Sequence, residues 1–136
     1  MPAGLGDPVF RKLKNTLADA LMSVGAVVGV TLGDAAEDCT QSGFEFHTGV
    51  SGAGPEAGIS PAANGIQGGI ANGLTIRLLV YFKPASTLSE MSRRGRHDPC
   101  IIPRAIPVLE SMVALVLADH FLAFQTDRVE DLRRGN

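Results

Sequence analysis

Arg96, His97 and Asp98 stand side by side in GRHDPCIIPRAIP, residues 95–107, a stretch fenced by three prolines. An arginine beside a carboxylate favours its charged form, while burial pushes the other way, so Asp98 with Arg96 could be poised for proton transfer. His97 could orient a partner, and Pro99 holds Asp98 out of helical geometry. The same residues also read as a solvated turn, with Asp98 as its cap and Arg96 as a surface partner. Spacing alone leaves both readings open.

Two further stretches carry chemical potential. KPAST, residues 83–87, gathers one cation and two hydroxyls within five positions. Lys83 with Ser86 and Thr87 would suit a phosphate, since one charge pair at about 4 Å contributes about 4 kcal/mol at an effective dielectric of about 20. A lysine at the end of a strand also simply discourages edge pairing. GIQGGIANG, residues 65–73, places four glycines just before a strand, the wrong order for a dinucleotide fingerprint. Such glycines either let the backbone approach a ligand or make a tight, closely packed turn. His47, His97, His120, Cys39 and Cys100 show none of the short paired spacings of a zinc site, so no metal is expected, and no nucleophile elbow is present.

The elements that must position these residues follow from periodicity. Asp7 as N-cap, Pro8 at the first helical position and apolar residues at three- and four-residue steps through Val24 predict a helix over 8–24, with Gly25 as its left-handed stop. AVVGVTL, 26–32, reads as a strand ending at Gly33-Asp34. Ten of the sixteen glycines fall within 33–73, where only FEFHTGV hints at alternation, so this region is expected to be mobile or fixed by contacts from elsewhere. LTIRLLVYF, 74–82, is the clearest strand, with Leu74, Ile76, Leu78, Val80 and Phe82 on one face. A helix is predicted over 104–125, apolar on every side along SMVALVLA, which implies burial all round. The expected class is α+β, an antiparallel sheet packed on long helices, in one domain over 1–125 with a polar tail over 126–136.

Composition narrows the partners. The 136 residues are 45% hydrophobic and 19% charged, as in ordinary globular proteins, and the net charge of −2 gives no pull toward nucleic acid or an anionic membrane. Two unpatterned cysteines and no signal peptide imply a reducing cytoplasm. The apolar run from Ile106 to Phe124 is broken by Pro107, Glu110, Asp119 and His120, which favours a buried helix over a membrane span.

Taken in order, PAGLGDPVF, ALMSVGAVVGV, GGIANG, FKPAST and GRHDPCIIPRAIPVLESMVALVLADHFL resemble the C-terminal part of chorismate synthase, from Pro2 to about Leu122. The resemblance implies a lyase that converts 5-enolpyruvylshikimate 3-phosphate to chorismate by 1,4-elimination of phosphate, the last step of the shikimate pathway. It implies reduced FMN without net redox change, NADPH as a candidate reductant, and a homotetramer whose subunits pack helices between antiparallel sheets. The present chain would supply one half of that sandwich. By match, Gly25, Ala26, Gly68, Lys83, Pro84, Ala85, Ser86, Thr87 and Arg96 resemble FMN-binding positions. Asp98 resembles the carboxylate that helps remove the C6 proton by way of the flavin.

Departures from the family pattern are also visible. SPAANG, 60–65, stands where an SNNAGG-like stretch is usual, Ala85 replaces a threonine, and LSEMSRR replaces a longer insert. The family's N-terminal half, with two catalytic histidines, has no counterpart in these 136 residues. A separate polypeptide carrying that half is therefore a candidate partner. The alternative is a truncated, non-catalytic relative acting as an oligomerising or FMN- or phosphate-binding module.

Overall fold

The structure, a computed structural model, describes residues 1–47, 64–84 and 100–126. Its first helix, α1, spans Leu13–Met22 and buries Leu13, Leu17 and Leu21, a stripe at four-residue steps. It starts later than the predicted residue 8 because Asp7 caps nothing there. Instead the Leu13 N–H donates to the Gly69 carbonyl at 2.8 Å, a tertiary contact in place of a side-chain cap, and Phe10 is left 91% exposed. At the other end Gly25 is not the left-handed residue. Ala26 takes that conformation, at φ 70, in a turn closed by the Val27 N–H on the Val24 carbonyl.

Strand β1, Val27–Leu32, follows and pairs antiparallel with a later strand, Leu78–Phe82, from Val27 opposite Phe82 to Leu32 opposite Leu78. The register shifts between Val27 and Gly29. Residues 74–77 were expected in the later strand but lie beyond the end of β1. Only the Gly33 N–H, bonded to the Arg77 carbonyl at 2.9 Å, continues the pairing. The predicted alternation holds: Ile76 and Leu78 pack on the core, while Thr75, Arg77 and Tyr81 are exposed.

Within the glycine-rich middle, two short helices appear that periodicity did not show. α2, Ala35–Asp38, is capped by Asp34, whose carboxylate accepts from the Glu37 N–H, and α3 spans Gly43–His47. The alternation of FEFHTGV does not make a strand over 44–47, because the Phe46 N–H bonds back to the Ser42 carbonyl within one helical turn. Residues 48–63 lie outside the described residues. Then come β2, Ile66–Gln67, and β3, Ile70–Ala71, a small antiparallel hairpin. The strand paired with β1 is thus β4, Leu78–Phe82.

The last helix, α4, runs Ile102–Thr126. Pro103 sits in its first turn, where a missing N–H costs nothing, while Pro107 lies inside. Val113, Val116, Leu117 and Phe124 pack on a core of Leu5, Leu13, Leu17, Ile66 and Ala71. The architecture is α+β, with two antiparallel two-stranded sheets and two long helices among the described residues. Burial all round, the expectation for α4, is not met. One face is covered and the opposite stripe of Val108, Ser111, Leu115, Ala118 and Leu122 is exposed, because this chain provides nothing described on that side. By length and composition α4 could cross a membrane, yet its packed face is tied to α1 through Asp119 and His120.

Candidate functional site

The N-terminal end of β1 and the C-terminal end of β4 bring four of the sequence-predicted residues together: Gly25, Ala26, Lys83 and Pro84. The Lys83 N–H donates to the Ala26 carbonyl at 2.9 Å, one step beyond the Val27–Phe82 pair. Gly25 precedes Ala26 in the same turn, is exposed, and has nothing within 4 Å of where a side chain would stand. Lys83 and Pro84 are exposed as well. The result is exposed backbone at Gly25 next to Lys83, which makes no ion pair among the described residues, both held in place by a sheet register. Ala26 supports that geometry at some cost, since a left-handed conformation disfavours a residue with a Cβ by about 1–2 kcal/mol.

Gly68 is placed elsewhere. It forms the β2–β3 turn with Gly69, at φ 62 and 103, the two positive φ angles of a type I′ hairpin turn. Gly69 packs against the start of α1, where a Cβ would come 2.7 Å from the Asp7 carbonyl. Gly25 and Ala26 lie past the far end of that ten-residue helix, so about 15 Å of helix separates the two glycine features. GIQGGIANG thus contains a tight turn that is packed on α1 at Gly69 and open at Gly68.

Helix α4 runs antiparallel to α1, and two polar contacts fix it there. Thr16 Oγ1 lies 2.7 Å from Nε2 of the buried His120, and Arg11 forms an ion pair with Asp119. Phe124 lies beside Gly4, so the C-terminal end of α4 meets the start of α1. The first turns of α4 accordingly lie toward the end of α1: Ile106 and Leu109 share a groove with Leu21 and Val80. Sequence reading took Asp119 and His120 only as breaks in an apolar run. A threonine on α1 one position from the core stripe was the available signal for their partner.

Ala85, Ser86, Thr87, Arg96 and Asp98, with His97, lie outside the described residues. Among the described residues no group of three or more metal-ligating side chains occurs, and Cys39 and Cys100 are free and exposed. What is described at the Ala26 end could meet an anionic group. A cation is at hand, and the turn leaves backbone open to close approach.

The comparisons with known proteins agree along the chain. The family model for chorismate synthase matches residues 1–122. A chorismate synthase of Bdellovibrio bacteriovorus is 51% identical over 128 residues, covering 94% of this chain and 35% of the relative. One from Prochlorococcus marinus is 45% identical over 139 residues, covering 91% and 38%. A crystal structure of chorismate synthase superposes with TM-score 0.71 at 29% identity, covering 98% of this chain and 38% of the solved one. The chain therefore spans 35% to 40% of the length of the curated relatives it matches. With a family match over residues 1–122 and the same fold in a solved relative, the chain belongs to the chorismate synthase family.

Proposed function

We propose that this chain is the FMN-binding, C-terminal portion of a chorismate synthase and that it takes part in the 1,4-elimination of phosphate from 5-enolpyruvylshikimate 3-phosphate. Family membership supports the reaction class. The observation that carries the site is the Lys83 N–H bond to the Ala26 carbonyl, which joins two separated family motifs at one edge.

In this reading Gly25 and Ala26 offer backbone to the flavin, and Lys83 through Thr87 hold its anionic group with one ammonium and two hydroxyls. Arg96 adds a second cation. Reduced FMN, when bound, supplies the electron-rich partner the elimination requires. Asp98 would help remove the C6 proton by way of the flavin while the C3–O bond breaks and phosphate departs. Both residues precede α4 in the chain, and α4 begins on the Leu21 side of the fold, toward Ala26. Preplaced cations of this kind act strongly where water is excluded. Gly68 serves the hairpin turn. Standalone turnover is not part of the proposal, because catalysis needs aligned groups that the rest of the family's length provides.

The test is anaerobic phosphate release with reduced FMN and the enolpyruvyl substrate, using the chain alone and the chain co-expressed with the N-terminal portion of a relative. Release in the second mixture supports the reading. Absence of release in both removes the lyase assignment. If FMN then still binds, the non-catalytic binding module is the better description.

A further inference from the structure

Two Asn-Gly pairs bracket the hairpin, Asn64-Gly65 before β2 and Asn72-Gly73 after β3, and their surroundings differ. At Asn72 the side-chain Oδ1 accepts from the Leu74 N–H at 3.0 Å, and Nδ2 lies 3.4 Å from Gln67 Oε1. The bond to Leu74 closes a ring that contains both the Asn72 amide carbon, Cγ, and the Gly73 nitrogen, so the side chain is folded over the peptide bond that follows it. Gly73 is exposed, and its N–H makes no hydrogen bond among the described residues. With no side chain of its own, Gly73 leaves that nitrogen open to a neighbouring group. Asn64 is placed differently. Its side chain is pressed on the buried Gly33, and the glycine that follows it, Gly65, is itself buried against Thr75 and Ile76.

We propose that Asn72 is a site of spontaneous covalent modification, deamidated through a cyclic imide with Gly73, and that Asn64 is protected from the same reaction. The Gly73 nitrogen gives up its proton to solvent and attacks Cγ of Asn72, forming the N–Cγ bond. The carbonyl electron pair moves onto Oδ1, where the Leu74 N–H already points and stabilises the charge that develops there. Collapse of this intermediate breaks the Cγ–Nδ2 bond, and Nδ2 takes up a proton and leaves as ammonia. Water then opens the imide at either carbonyl. Opening at Cγ gives aspartate; opening at the main-chain carbonyl gives isoaspartate. Both products carry a negative charge that Asn72 lacks, and isoaspartate also adds one methylene to the main chain. That insertion falls beside Ala71, whose N–H and carbonyl hold Leu5 and Gly4 to the hairpin, and at the Asn72 N–H that bonds the Gly65 carbonyl. The reaction therefore strikes the point at which the N-terminal segment is fastened to β3.

The test incubates the full chain in mildly alkaline buffer, folded and unfolded in urea, and follows each asparagine by peptide mass mapping and by labelling with an isoaspartyl methyltransferase. Circular dichroism checks the folded sample. The expected result is that Asn72 converts at least as fast in the folded chain as in urea, to a mixture of aspartate and isoaspartate. Asn64 converts severalfold more slowly in the folded chain than in urea. If Asn72 is instead severalfold slower when folded, the Leu74 bond only holds the side chain still, and the inference is overturned. Aspartate without isoaspartate overturns it as well, because direct hydrolysis by water needs no imide. So does equal conversion of Asn64 and Asn72 in the folded chain, or a chain that is unfolded without urea.

Discussion

His120 on α4 and Thr16 on α1 meet across the helix pair, Nε2 2.7 Å from Oγ1, with the histidine only 2% exposed. The threonine hydroxyl also lies 3.0 Å from the Leu13 carbonyl. One hydroxyl hydrogen cannot serve both. With it on the carbonyl, the oxygen is free to accept from Nε2–H.

Thr16→Val keeps the side-chain volume and leaves that buried nitrogen unpaired, which costs about 1–3 kcal/mol. Adding His120→Leu to the same protein recovers part of the loss, because both partners are then apolar. Urea unfolding of the single and double variants checks this. Strict additivity of the two changes would show that the bond contributes nothing to the docking of α4.

The neighbouring Arg11–Asp119 pair behaves differently. Its side chains are 51% and 67% exposed, so solvent screens them. Asp119→Asn is expected to change stability by less than about 1 kcal/mol, and the difference to shrink as salt is raised. Equal losses at low and high salt would indicate packing rather than charge.

Much of this frame was legible because it is periodic. The face of Ile76 and Leu78, the stripe of Leu13, Leu17 and Leu21, and the extent of α4 follow from spacing alone. Spacing could not show what distant chain supplies: the start of α1 is set by Gly69 and the pairing limit of β4 by the end of β1. It also missed α3, which a local bond to Ser42 closes. The candidate site shows the same division: Lys83 and Ala26 are joined by strand register, which no motif records, whereas Gly68 shares their family pattern but not their place.

Gly68 and Gly69 adjoin yet differ in what they tolerate. Both need positive φ, which costs a residue with a Cβ about 1–3 kcal/mol. A methyl at Gly68 meets nothing within 4 Å, whereas one at Gly69 meets backbone at Asp7 and the stem of Lys12. Gly69→Ala therefore lowers the melting temperature more than Gly68→Ala. The reverse order would contradict the docking of the hairpin on α1.

Ala26→Gly tests the strained turn beside Lys83. Relief of the left-handed strain gains about 1–2 kcal/mol, and greater freedom of the unfolded chain takes back about 0.4–1 kcal/mol. The expected result is unchanged or slightly raised stability in urea. A clear loss would mean that the Ala26 methyl packs against something essential.

Fluorescence titration with FMN distinguishes the two glycine-bearing ends of α1. If the ligand sits at the Lys83 end, Lys83→Ala weakens binding about tenfold, equivalent to about 1.4 kcal/mol, and the loss diminishes with salt as a charge contact should. Gly68→Ala, about 15 Å away along α1, leaves affinity within about twofold when both variants are folded by circular dichroism. Equal losses in both would extend the site across the helix to the hairpin. A loss in Gly68→Ala alone would move the site to the hairpin and leave the Lys83–Ala26 bond a structural one.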